Sequence, residues 1–131
     1  MKRVIGVRLA GILLIVLMLL LVAMHVLILV RVLPYDIVWG GQIGDASSVI
    51  PYEAAALIIM LVFLTAVTMR LGYIKAGRLK KAAGVLTWIV FAYFVLNAVG
   101  NFASAVSLEN LVFGPLSIVL ALLSLRVAIA R

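Results

Sequence analysis

Four apolar segments of about twenty residues, joined by three short polar connections, take up nearly all of this 131-residue chain. The first, from Leu9 to Val30, is interrupted in polarity only by His25. At 1.5 Å per residue a helix of that length crosses roughly 30 Å of hydrocarbon. Apolar residues make up 68% of the chain and charged residues 11%, against roughly 45–50% and about 25% in soluble domains. A water-soluble monomer is therefore excluded, and the pattern predicts an all-α integral membrane protein. One membrane domain, with spans over about 9–33, 51–70, 82–105 and 111–130, accounts for the whole length.

Charge orients these spans. Ten of the eleven basic residues, Lys2, Arg3, Arg8, Arg70, Lys75, Arg78, Lys80, Lys81, Arg126 and Arg131, fall at one end of the spans. Arg31 and the four acids, Asp36, Asp45, Glu53 and Glu109, lie in or beside the other two connections. The positive-inside rule then places both termini and the middle loop in the cytoplasm. Short connections make neighbouring helices antiparallel, so the expected architecture is an antiparallel four-helix bundle. A net charge of +7 is met by an anionic leaflet, so the partner expected is the lipid bilayer and not nucleic acid. The positive start at Lys2 and Arg3 also fits a signal peptide, but the apolar run exceeds the ~7–15 residues of such a leader, favouring a retained helix.

Pro34 is expected to end the first helix. In the connection that follows, Tyr35, Asp36, Trp39, Gly40 and Gly41 are candidate interaction residues, with the aromatic rings at headgroup level. Pro51 reads as the first residue of the second helix, with Glu53 in its first turn where the helix dipole favours an anion. Gly72 and Gly77 suit tight turns in the basic loop. The fourth helix starts between Asn110 and Pro115, with Arg126 reaching the inner headgroups. Its small residues, Gly114, Ser117, Ala121, Ser124 and Ala128, allow close approach to a neighbouring helix or a second subunit.

Polar side chains within the spans carry most of the functional signal. Asn97, Gly100, Asn101 and Ser104 recur at i, i+3, i+4 and i+7, giving the third helix one small, polar face. His25 lies at the same depth as Asn97, about 12 Å below the outer boundary, where imidazole and carboxamide could bond. These groups either tie helices together or line an outward-facing cavity, where an ionisable group marks a ligand or proton path. Arg31 has Asp36, Glu53 and Glu109 as candidate partners.

Catalytic signatures are absent. There is no cysteine and a single histidine, which removes thiolate chemistry and the usual zinc and haem ligand sets, so no metal or cofactor is expected. G-x-S-x-G, H-E-x-x-H and the phosphate-loop motif do not occur. The expectation is a non-enzyme, a small lipid-modifying site using Glu53, Glu109 or His25 being the remote alternative.

The run from Pro34 to Gly41, the segment from Asn97 to Asn101 and the stretch from Glu109 to Pro115 resemble small uncharacterised bacterial membrane proteins with four helices. The resemblance implies a bacterial inner membrane and no particular activity. Small multidrug transporters and fluoride channels are similar in size, but the first span lacks the former family's glutamate, and the one-sided charge departs from dual-topology dimers. Two functions are thus expected in order: an accessory or binding protein for a partner protein, lipid or small amphiphile at the outer half, then a small oligomeric transporter or channel for a cation, proton or polar solute.

Overall fold

A computed structural model describes residues 5–34 and 46–130. Four α-helices dominate them: α1 (Val7–Leu29), α2 (Ala46–Arg70), α3 (Lys80–Ala103) and α4 (Gly114–Ala128). A 3₁₀ turn, Gly77–Leu79, leads into α3, and a π-helical segment, Glu109–Phe113, leads into α4. Among the described residues, four helical stretches are long and apolar enough to cross a membrane. Contacts run round the perimeter, α1 on α2, α2 on α3, α3 on α4 and α4 back on α1, and are sparse between α2 and α4.

Two helix boundaries differ from the sequence expectation. The second helix begins at Ala46, so Pro51 lies inside it and not at its start. Pro51 is the sixth residue of the helix, past the four whose N–H groups lack an intrahelical acceptor, so the helix gives up one i→i−4 hydrogen bond there. The first helix ends at Leu29, before Pro34. There the N–H of Val32 returns to the carbonyl of Leu27 and that of Arg31 to Ile28. This is a Schellman closure, and it puts Arg31 in the left-handed region at φ 67°. The end of α2 repeats it, with Tyr73 returning to Thr68 and Gly72, at φ 86°, to Met69.

The main core joins Leu14, Met18, Met60, Phe63, Phe94 and Leu120 from all four helices. A smaller cluster, Ile28 and Val49 with Phe113 against it, closes the end away from the basic loop. Large apolar residues such as Leu20, Ile58, Leu96 and Leu111 are exposed on the perimeter. In lipid such residues gain nothing by turning inward, so helix association rests on close packing and interhelical bonds. The small stripe of α4 shows the first of these. Gly114, Ser117, Ala121, Ser124 and Ala128 are all buried, and a Cβ at Gly114 would stand 2.8 Å from the ring of Phe102.

The basic end shows the second. Arg126 does not reach outward; it is buried, and its Nε donates to the carbonyl of Ile5 at 2.9 Å. Arg70 Nη2 donates to the carbonyls of Ala128 and Ala130. Carbonyls before α1 and at the end of α4 have no intrahelical donor, and a guanidinium satisfies them while complementing the negative end of the α4 dipole.

Candidate functional site

A cavity of about 440 Å³ opens between the two apolar clusters, at the end of the bundle away from the basic loop. Its floor is aromatic. Tyr93 and Phe94 line it, and Tyr93 stacks edge-on against Phe63, ring centroids 5.1 Å apart. Leu21, Met24, Met60, Leu116 and Leu120 form apolar wall. The remaining wall is polar, with His25 from α1, Asn97 and Asn101 from α3, Glu109 from the π-helical segment and Ser117 from α4.

His25 is not bonded to Asn97. Its Nδ1 lies 2.5 Å from Oε2 of Glu53, whose side chain is fully buried. This overturns the reading of Glu53 as a first-turn partner of the α2 dipole. Because α2 starts at Ala46, Glu53 sits two turns into the helix and on its inner face. The contact gives the buried carboxyl group a polar partner from a neighbouring helix. That is what lets a carboxyl group sit in a membrane span. Asn97 lines the same cavity as His25, half-buried, on the opposite helix.

The polar face of α3 divides its work. Nδ2 of Asn101 donates to Oγ of Ser117 at 3.0 Å and to the carbonyl of Phe113 at 3.3 Å, joining α3 to α4. Ser104 lies just past the end of α3, where its Oγ donates to Oε1 of Glu109 at 2.8 Å and accepts from the N–H of Val106. Glu109 is thereby held in a buried position at the cavity wall. The π-helical turn has a local cause. Pro115 lacks the N–H that would bond the carbonyl of Leu111, and its ring would crowd that carbonyl in an α-helix, so the turn widens.

Arg31 is exposed and forms no ion pair with Glu53 or Glu109. Glu53 faces inward to His25, and the helix closure turns Arg31 to the surface. Tyr35, Asp36, Trp39, Gly40 and Gly41 lie outside the described residues. Ser117, which the sequence presented as a packing residue, lines the cavity, as does Tyr93. Among the described residues no three His, Asp or Glu side chains come together to hold a metal ion. In comparison with known proteins, no family model, curated protein or solved structure matches this chain.

Proposed function

We propose that this chain is a bacterial inner-membrane protein, an antiparallel four-helix bundle with both termini and the basic 70–81 loop in the cytoplasm. It works without catalysis, binding a small single-chain amphiphile in the outer-half cavity, alone or for a membrane protein partner. The carrying observation is the cavity's division into apolar wall and aromatic floor on one side and His25, Asn97, Asn101, Glu109 and Ser117 on the other. An alkyl chain is matched by the first surface and a hydrogen-bonding head by the second. A medium-chain alcohol should therefore raise the thermal midpoint of the purified protein, and Gly100→Phe should remove the effect. Gly100 lines the cavity and a Cβ there meets no atom within 4 Å, so a side chain can be added there without a clash at its base. An equal rise in both proteins would refute binding in this cavity.

A second reading, an oligomeric transporter or channel for a proton, cation or small polar solute, is supported by the His25–Glu53 pair beside the cavity. Reconstituted vesicles separate the two. Proton or solute flux abolished by His25→Ala or Asn97→Ala would favour transport, and no flux across a broad solute panel would favour binding alone.

A further inference from the structure

A second cavity lies at the other end of the molecule, in the seam between α2 and α3. It holds about 310 Å³ and is lined by Leu61, Thr65, Ala66 and Met69 on one side and by Leu79, Ala82, Ala83 and Leu86 on the other. Small residues make the space, since Ala66, Ala82 and Ala83 stand where larger side chains would bring the helices together. The one hydroxyl is turned back on its own helix, Thr65 Oγ1 donating to the carbonyl of Leu61 at 2.8 Å, which leaves the lining apolar. From Leu61 to Met69 the groove runs about 12 Å along α2. That is close to the depth of one leaflet, half of a hydrocarbon core of roughly 30 Å.

The groove ends among positive charges. Arg78, Lys80 and Lys81 alternate with or adjoin the lining residues Leu79 and Ala82, and all three are exposed. None has a hydrogen-bond or ion-pair partner among the described residues, and the first turn of α3 has no acidic residue to neutralise them. Arg70, by contrast, is engaged with the end of α4. A second copy of this chain would bring the same positive charge to the same place, which disfavours it as the occupant.

We propose that this seam is a binding site for an anionic phospholipid of the leaflet on the basic side, one acyl chain lying in the groove and the phosphate on Arg78, Lys80 and Lys81. The apolar slot supplies the depth and the cationic rim the choice of headgroup. This site is separate from the amphiphile cavity and stands whether or not that cavity binds a ligand.

Lipid retention by the purified full chain tests it. The protein in detergent is titrated with phosphatidylglycerol or phosphatidylcholine of equal chain length, and bound lipid is counted by native mass spectrometry. Phosphatidylglycerol is expected to be retained in preference, with its affinity falling about fivefold for each charge removed in R78Q, K80Q and K81Q. Thr65→Phe with Ala82→Phe, at two exposed positions, fills the groove with the charges intact and should abolish the preference. Ala82→Phe alone serves where the double variant does not fold. Equal retention of the two lipids overturns the proposal, and so does a preference that survives filling the groove, which would show diffuse surface attraction only.

Discussion

Glu53 and His25 are the residues around which the rest of the site is explained. A carboxyl group two turns into an apolar helix needs a partner, and the only histidine in the chain provides it at 2.5 Å. Removing either partner should lower stability by about 1–3 kcal/mol, the cost of a buried polar group that has lost its bond. Because both singles lose the same contact, His25→Ala with Glu53→Ala should cost little more than the worse single change, a coupling of about 1–2 kcal/mol. Unfolding in mixed micelles measures the cycle, and additive losses would show that the two residues act independently. The sequence showed both residues but paired them wrongly. Depth along the helices brought His25 to Asn97, whereas the actual partner depended on where α2 begins, and Pro51 is a misleading guide to that.

At the scale of the element, helix ends explain what composition does not. Gly72 and Arg31 occupy equivalent positions in two Schellman closures, both left-handed, yet only one is glycine. Gly72→Ala should therefore destabilise by about 1 kcal/mol, the cost of a Cβ in that conformation. Arg31→Gly should act in the opposite direction and by less, since glycine also loosens the unfolded chain. Thermal midpoints of the two variants decide, and a loss of stability in Arg31→Gly would mean the guanidinium makes a contact worth more than the relief of strain. The four helices themselves were legible, because apolar length is a strong signal. The π-helical turn at Glu109–Phe113 was not. Pro115 announced a break, but whether proline starts, kinks or widens a helix depends on what its neighbours bond, here Ser104 holding Glu109 five residues further on.

Across the whole molecule, two kinds of surface share one bundle. The basic end is fastened by Arg126 on Ile5 and Arg70 on the end of α4, while the opposite end keeps a cavity with a polar wall. Arg126 illustrates how sequence reading falls short at this scale. An arginine near a helix end reads as lipid-facing, but an unpaired carbonyl on a neighbouring segment turned it inward. Reporter fusions at the two termini, in the 70–81 loop and near Asp45 should report the first three as cytoplasmic and the last as periplasmic. A periplasmic terminus would reverse the proposed orientation.

If the cavity beside His25 receives a small amphiphile, a diazirine-bearing medium-chain alcohol will photolabel it selectively. Label should concentrate on the lining residues Tyr93, Asn97 and Glu109, be displaced by the unlabelled alcohol, and disappear from them in Gly100→Phe. Label spread evenly over perimeter residues such as Leu20, Ile58 and Leu122, unchanged by Gly100→Phe, would contradict it.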